Sequence, residues 1–288
     1  MQRNIFRINR EDLFELEADS VPPYTESAAI YDDMMREVDY NSWAQYIIKL
    51  LKVAGVETRR SRIKGQRLCE LGCGTGNLSF IMWKLGYDVT GVDISEKMIT
   101  QAQSKMGRRT RTRSSASSLY RNRANFVNHD MTTYSSTKQF DVMVCVYDSI
   151  NYLSDKESVA KFLGNVSSNL KPGGVFIFDA SLESNSLNDP SLFVQRGRLN
   201  GIRYQRRSLY DKKAKIHTTE IRIKKDGRLF EEIHREQVFS LGTLRKLAEE
   251  KGFIEKLAAG DFTMFEADKN SERVHFVLLK PQPPTTYR

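Results

Sequence analysis

Apolar residues in the middle of the chain follow two periodicities that alternate along the sequence. Five short runs have the length and the β-branched content of buried strands. They occupy residues 66–71, 87–93, 124–130, 140–148 and 175–180. Between them apolar residues recur at helical spacing, as in Leu78, Ile81, Met82 and Leu85. This alternation predicts right-handed βαβ units and an α/β, doubly wound, mostly parallel sheet.

Local signals predict where helices begin and end. Ser95 and Ser240 precede helical patterns as N-caps, and Ser154 with Glu157 has the spacing of a capping box. The Lys-Pro-Gly-Gly sequence at residues 171–174 is predicted to stop the helix that follows Ser154.

The pattern changes after Asp179, where a polar, turn-rich stretch leads into alternating apolar and polar residues. Asp226 and Gly227 lie between residues 216–225 and 228–239, which is a strong hairpin signal. We therefore predict an antiparallel β arm inserted into the doubly wound domain, with further strands at 253–259 and 274–280 completing the main sheet.

The hairpin register assigns two faces to the arm. It places Arg222 opposite Glu231 on one face and Thr219 opposite His234 on the other. His234 alternates with Phe230 and Glu232, and we expect this face to point toward the binding pocket.

A glycine-rich loop follows the first strand in the sequence Glu70-x-Gly72-x-Gly74-x-Gly76. Glycines allow a tight turn and a close approach of a ligand. The Lys-Ser/Thr of a Walker loop is absent, and Asn77 stands where a dinucleotide fingerprint has its third glycine. The loop alone does not identify the ligand.

Asp93 narrows the choice of ligand. It ends the second strand about 17 residues after Gly76, close to the spacing of about 20 at which a carboxylate binds ribose hydroxyls. The glycine-rich loop and Asp93 together predict a ligand that contains a nucleoside, with or without a pyrophosphate.

Charge is concentrated in one segment. The net charge is +9, but residues 105–123 contain seven Lys and Arg and no acid, which leaves only +2 elsewhere. The basic character is therefore local. Its Ser, Arg and Thr content is typical of a solvated loop, and docking of nucleic acid is the alternative reading.

Three cysteines without a CxxC pair argue against a disulfide scaffold or a zinc site, so no metal is predicted. Charged residues run through the first 20 positions, and no apolar stretch has the roughly 20 residues of a membrane span. These features predict a cytoplasmic protein without a membrane partner.

Five ordered motifs together resemble the class I S-adenosylmethionine-dependent methyltransferases. They are ELGCGTGNLSF, VTGVDIS, NHDM, FDVMVCVYDSINYL and LKPGGVFIFD. The segments before and after them are similar to a bacterial small-molecule subgroup related to sugar and glycine N-methyltransferases. The resemblance implies a Rossmann-like fold and S-adenosyl-L-methionine as cofactor, with S-adenosyl-L-homocysteine as product.

The resemblance also implies roles for individual residues. Glu70 would hold the amino group, Asp93 the ribose hydroxyls, and Asp130 with Met131 the adenine. The remaining implied cofactor contacts are Tyr24, Tyr31, Trp43, Gly72, Cys73, Gly74, Asn77, Ile94, Met98, Val146 and Tyr147.

Methyl transfer requires alignment, exclusion of water and removal of a proton from the acceptor. Asp148, Asn151 and Tyr152 follow the fourth strand, where the methyl group is expected, and His234 is carried by the arm. These four residues are the candidate catalytic groups. No Asn-Pro-Pro-Tyr, Asp-Pro-Pro-Tyr or Pro-Cys motif of nucleic-acid base methylation occurs at this position.

We therefore predict a methyltransferase acting on N or O of a small molecule. Alternatives are an RNA or protein methyltransferase that docks through residues 105–123, a cofactor-binding regulatory protein and, more distantly, a nicotinamide dehydrogenase. The expected organisation is an N-terminal helical lid at 1–55, a core at 56–182 and 240–281, the arm at 183–239 and a disordered tail at 282–288. The oligomeric state and the acceptor are not predicted.

Overall fold

A seven-stranded sheet forms the centre of the molecule. The computed structural model describes residues 12–58, 63, 65–111, 123–188 and 195–283. Its strands are β1 (Asp19–Val21), β2 (Arg67–Leu71), β3 (Asp88–Asp93), β4 (Ala124–Asn128), β5 (Phe140–Cys145), β6 (Leu170–Ser181), β7 (Gln195–Leu199), β8 (Ile202–Asp211), β9 (Ile216–Lys225), β10 (Arg228–Gln237), β11 (Ile254–Gly260) and β12 (Arg273–Leu279).

Helices connect and flank these strands. They are α1 (Tyr31–Met34), α2 (Tyr40–Val53), α3 (Asn77–Leu85), α4 (Glu96–Arg111), α5 (Lys156–Asn169), α6 (Glu183–Asn188) and α7 (Leu241–Glu250), with 3₁₀ turns at Leu13–Glu15, Ser27–Ala29 and Ser149–Tyr152. None of the helices in the described ranges is long and apolar enough to cross a membrane.

The main sheet has the order β11-β12-β6-β5-β2-β3-β4. Strands β2 to β6 pair in parallel, and β12 lies antiparallel between β6 and β11. The strand order reverses at β2, so the glycine loop that follows β2 lies at the topological switch point, where doubly wound sheets bind ligands. The predicted α/β, mostly parallel fold is confirmed.

Two apolar layers cover the faces of this sheet. One contains the buried rings of Phe162, Phe176, Phe178 and Phe276, and the other packs α2 and α3 on the opposite face. Because both faces are covered, the strands are near-continuous apolar runs, which is why their positions could be predicted.

The arm is part of a second, five-stranded sheet of order β1-β10-β9-β8-β7. Strands β9 and β10 form the predicted hairpin, and Arg222 pairs with Glu231 and Thr219 with His234, as the register predicts. Strand β1 adds to β10 in parallel, which the sequence analysis did not predict.

Two local predictions are wrong: the start of the fifth predicted strand and the N-cap of the helix before it. The helix that follows Ser154 ends at Asn169, just before the Lys-Pro-Gly-Gly sequence, as predicted. Residues 171–174 nevertheless belong to β6, because Gly173 N donates to the Lys280 carbonyl and Lys280 N donates to the Gly174 carbonyl. The N-cap of α5 is Asp155, whose carboxylate accepts from Ser158 N at 2.7 Å, while Ser154 Oγ donates to Asp155.

The N-terminal lid is helical only in part. Extended β1 and the consecutive prolines 22 and 23 come before α1, and proline lacks the N–H that a helix interior requires. The predictions for residues 1–11, for 112–122 of the basic segment and for 284–288 of the tail fall outside the described residues.

Candidate active site

A cavity of about 940 Å³ lies at the carboxyl ends of β2 to β5. Its position is the one expected for a ligand of a doubly wound sheet, and its volume is in the range of small-molecule sites. Most of the predicted cofactor and catalytic residues line it. These are Tyr24, Tyr31, Glu70, Gly72, Cys73, Gly74, Asn77, Asp93, Ile94, Met98, Asp130, Met131, Tyr147 and Tyr152.

Several lining residues were missed by the sequence analysis. Thr75, Ser95, His129 and Ser149 lie in the predicted loops, beside residues that were named. Tyr40 begins α2 and gave no signal beyond being another aromatic residue of the N-terminal segment.

The glycine loop turns sharply away from β2. Gly72 has a φ of 68°, and a Cβ there would lie 2.5 Å from Ser149 Oγ. Gly74 has a φ of 52°, and its Cβ position meets only a Tyr31 ring carbon at 4.0 Å. Gly74 therefore leaves its backbone open for a ligand to approach closely.

Two acidic side chains lie at the ends of neighbouring strands. Glu70 is only 4% exposed, and among the described residues its hydrogen bonds come from Ser79. Burial raises the pKa of Glu70 to about 8. Such a carboxyl group, buried and hydrogen-bonded only by Ser79 among the described residues, favours a ligand that brings a positive charge.

Asp93 anchors the loop as well as facing the cavity. Its Oδ2 accepts from Gly74 N and its Oδ1 from Ser95 N, both at 2.8 Å. Burial raises its pKa, and the two backbone hydrogen bonds oppose that rise. Each carboxylate oxygen retains a lone pair for a ligand hydroxyl. The neighbouring Ile94 is 72% exposed and available to a flat apolar ring.

Residues 22–27, the cover segment, lie over the cavity. Residues 22–25 line it, and Ser95 Oγ donates to the Tyr24 carbonyl at 3.0 Å. Beyond the segment, Asp32 accepts from Thr75 Oγ1 at 2.6 Å and from Lys105 Nζ at 2.8 Å. The N-terminal chain is thus attached to the end of β3, to the glycine loop and to α4.

Tyrosine hydroxyls meet a histidine at one end of the cavity. Tyr24 Oη and Tyr152 Oη lie 2.5 Å apart, and Tyr152 Oη lies 3.0 Å from His234 Nδ1. On its other side His234 Nε2 is 3.2 Å from Glu232 Oε2. His234 is 3% exposed and contacts Tyr152, which lines the cavity. His234, Phe230 and Glu232 do not themselves line it, so the prediction that this face of the arm points into the pocket is wrong. Burial raises the pKa of both tyrosines well above the ordinary value.

Asp148 and Asn151 have other partners. Asp148 forms a two-pronged ion pair with Arg273, which also binds Asp179. The Asn151 amide donates to the Ser181 and Gln237 carbonyls at 3.1 and 2.9 Å, and its oxygen accepts from Ser181 N. Neither residue lines the cavity. The structure therefore corrects their predicted place at the methyl group.

Trp43 and Val146 are also outside the cofactor cavity. Trp43 packs on Tyr147 with ring centroids 4.3 Å apart and borders a separate depression of about 550 Å³ beside Phe262. Val146 is buried at the end of β5. Trp43 points to the far side of Tyr147 because its face of α2 packs against β12 and the loop before it.

Comparison with known proteins adds independent evidence. Residues 68–174 match the family described as "Methyltransferase domain". The chain is similar to the putative methyltransferase YqeM of Bacillus subtilis, with 28% identity over 89% of this chain and 97% of that protein.

Solved structures agree on the fold. An S-adenosylmethionine-dependent methyltransferase from Clostridium acetobutylicum aligns with a TM-score of 0.71 at 22% identity, over 90% of this chain and 99% of that one. The sugar N-methyltransferase KedS8 from a Streptoalloteichus species aligns with a TM-score of 0.67 at 18% identity, over 93% and 96%.

The cofactor of this family is S-adenosylmethionine, an amino acid joined to a nucleoside. The cavity suits such a molecule, because a buried acid, a glycine backbone open to close approach and an exposed apolar side chain meet in it. The match therefore rests on the fold, the sequence and the chemistry of the cavity together. The domain match, the relatives and the fold together support a class I S-adenosylmethionine-dependent methyltransferase.

Proposed function

We propose that the enzyme transfers a methyl group to nitrogen or oxygen of a small-molecule acceptor. The observation that carries this proposal is the covered end of the cavity, where Tyr24 and Tyr152 meet beneath the cover segment and are backed by His234. A small N–H or O–H group fits under such a cover, and the hydroxyl–imidazole pair offers it a route for its proton.

The cofactor is held by residues of the glycine loop and the two strand ends in this proposal. Glu70 pairs with its ammonium group, Asp93 accepts from the ribose hydroxyls where Gly74 permits contact, and Ile94 with Met131 flanks the adenine. When bound, the cofactor supplies an electrophilic methyl group on a positively charged sulfur.

We assign removal of the acceptor proton to Tyr152 and His234, two of the four candidate catalytic residues. The acceptor proton passes to Tyr152 Oη while Tyr152 passes its own proton to His234 Nδ1, 3.0 Å away. Asp148 instead shapes the turn after β5, since its ion pair with Arg273 holds the consecutive left-handed residues Tyr147 and Asp148 in place. Asn151 joins the ends of β6 and β10.

The cover over Tyr152 favours a small acceptor over nucleic acid. Tyr24 of the cover segment contacts the Tyr152 hydroxyl, and the nearby Arg273 is engaged by Asp148 and Asp179. A nucleic acid would need an open groove with several cations for its phosphates, and the Lys and Arg residues among the described lining residues are Lys97 and Lys161. The names of the relatives point the same way, since KedS8 is a sugar N-methyltransferase.

Methyl-labelled cofactor tests the proposal. We expect the enzyme to transfer label into the small-molecule fraction that ultrafiltration separates from a cell extract, and the Tyr152→Phe variant to transfer far less. Purified tRNA and the retained proteins serve as competing acceptors in parallel reactions. Enzyme-dependent label in either of them, with none in the filtrate, would contradict the proposal.

Cofactor binding is expected to release protons near neutral pH. Free Glu70, with a pKa of about 8, is mostly protonated at pH 7, and an ammonium partner favours its ionised form. Binding of S-adenosylhomocysteine should therefore tighten as the pH rises from about 6 to about 7.5, while the ligand amino group stays largely protonated. Calorimetry in buffers of different ionisation enthalpy measures the release.

The Glu70→Gln variant is the control for this linkage. It should bind more weakly and without proton release. Equal proton release by both proteins would assign the titration to another group.

A further inference from the structure

One buried carboxylate on the arm contacts both the cover segment and the histidine behind the cavity. Glu232 is 0% exposed. Its Oε1 accepts from Glu26 N at 2.7 Å and Ser27 N at 2.9 Å. Its Oε2 accepts from Tyr24 N at 3.0 Å and Ser27 Oγ at 2.6 Å. The cover segment is thus attached to the arm by four hydrogen bonds to a single side chain.

The same carboxylate decides which nitrogen of His234 carries a proton. His234 Nε2 lies 3.2 Å from Glu232 Oε2, and an ionised carboxylate can only accept. The proton of a neutral imidazole is therefore on Nε2, which leaves Nδ1 free to accept from Tyr152 Oη at 3.0 Å. The other tautomer would direct an N–H toward Tyr152, so that His234 could no longer accept the Tyr152 proton.

Tyr24 takes part in both sets of contacts. Its backbone N–H binds Glu232, and its hydroxyl lies 2.5 Å from Tyr152 Oη. Its ring also packs edge-on against His234, with centroids 4.6 Å apart. If the segment moved away from Glu232, Tyr24 would leave both Tyr152 and His234.

We infer that Glu232 is a positioning residue that makes closure of the cover segment and orientation of His234 a single event. The inference rests on the proposed function, in which His234 receives the acceptor's proton through Tyr152. The inference goes further in one respect: His234 is aligned as the proton acceptor only when the cover segment, residues 22–27, is closed over the cavity.

The proton balance follows from these contacts. The acceptor's lone pair forms the bond to the methyl carbon, and the sulfur–methyl bond breaks with its electron pair left on sulfur. The acceptor proton moves to Tyr152 Oη and the Tyr152 proton to His234 Nδ1. The resulting imidazolium donates from Nε2 to the Glu232 carboxylate, which stabilises its charge.

The ionisation state of Glu232 agrees with this role. Burial by itself would raise its pKa, but the hydrogen bonds from His234, Ser27 and the cover-segment backbone lower it below the ordinary value. The carboxylate is therefore ionised near neutral pH and accepts all of these donors.

The test uses the full chain carrying Glu232→Gln, with nitrogen NMR of the histidine rings and hydrogen exchange of the backbone. The His234 signal, one of four histidines, is identified by its loss in His234→Gln. In the wild type we expect the Nε2–H tautomer and protected amides at residues 24, 26 and 27. In Glu232→Gln we expect a mixed or reversed tautomer and amide exchange faster by about tenfold or more.

Matched variants separate positioning from general damage to the fold. Glu231→Gln changes the neighbouring acid, which lies on the other face and pairs with Arg222 at 2.6 Å, and should leave both signals unchanged. Ser27→Ala removes only the hydroxyl contact from the cover side. It should still shift the His234 nitrogen signals, because the Glu232 carboxylate contacts both the cover segment and His234.

The inference is overturned if Glu232→Gln folds and keeps both the tautomer and the amide protection of the wild type. If that variant does not fold, unchanged His234 signals in Ser27→Ala would overturn it. Neither measurement needs turnover, so a failure of the proposed acceptor class would be seen separately in the labelling experiment.

Discussion

The Tyr152→Phe enzyme is expected to turn over about a hundredfold or more slowly than the wild type while binding S-adenosylhomocysteine with nearly the same affinity. The substitution removes one hydroxyl that contacts Tyr24 and His234 and keeps the ring that lines the cavity. Acid–base groups in transition states contribute about 10²–10⁴-fold, whereas an uncharged ring edge contributes little to cofactor binding. Single-turnover kinetics and calorimetry measure the two quantities.

The matched control is Tyr210→Phe, a tyrosine of the arm whose hydroxyl donates to Glu183 and which does not line the cavity. It should retain wild-type turnover. A Tyr152→Phe enzyme as active as this control would place proton removal elsewhere. A Tyr152→Phe enzyme that no longer bound cofactor would make the residue part of the cofactor site instead.

Replacing Asp93 by alanine is expected to weaken binding of both the cofactor and its demethylated product by tenfold or more. A hydrogen bond to a charged group contributes about 1.5–3 kcal/mol, and in the proposed complex Asp93 accepts from the ribose hydroxyls. The alanine also removes the contacts to Gly74 N and Ser95 N that hold the loop, which adds to the loss. Calorimetry gives the affinity, and thermal unfolding without ligand shows how much stability is lost.

Asp88→Ala provides the comparison, because Asp88 lies at the opposite end of β3 and accepts from Arg123 N. It should leave cofactor affinity unchanged. Asp93→Asn keeps an oxygen for the loop amides while removing the charge. Wild-type affinity in Asp93→Ala would refute the ribose contact.

Features that depend on a few neighbouring residues were predictable from sequence. The glycine loop, Asp93 and the hairpin register follow from local rules on backbone freedom, spacing and alternation, and each lies in the structure where those rules place it. The wrong predictions arose where a distant segment competed with a local signal. Gly173 joins a strand because Lys280 pairs with it, although 107 positions separate them in the sequence.

Side-chain partners across elements were not predictable. Asp148 and Asn151 have the residue types of catalytic groups, but Arg273 of β12 and the backbone of β6 and β10 take up their polar atoms. Glu232 gave no signal in the sequence beyond alternation with His234. Its importance arises from the cover segment, more than 200 positions earlier, whose amides it accepts.

The sequence by itself determined the fold class, the cofactor loop and the face of the arm on which His234 lies, because strand burial, glycine backbone freedom and the two-residue period of a strand are local properties. Only the tertiary structure decided which polar groups face the cavity and which neutralise each other. A buried charge or amide must find a partner, and that partner can come from any part of the chain. Tyr24 of the N-terminal segment supplies a partner for both Tyr152 and Glu232, and His234 lies between these two residues.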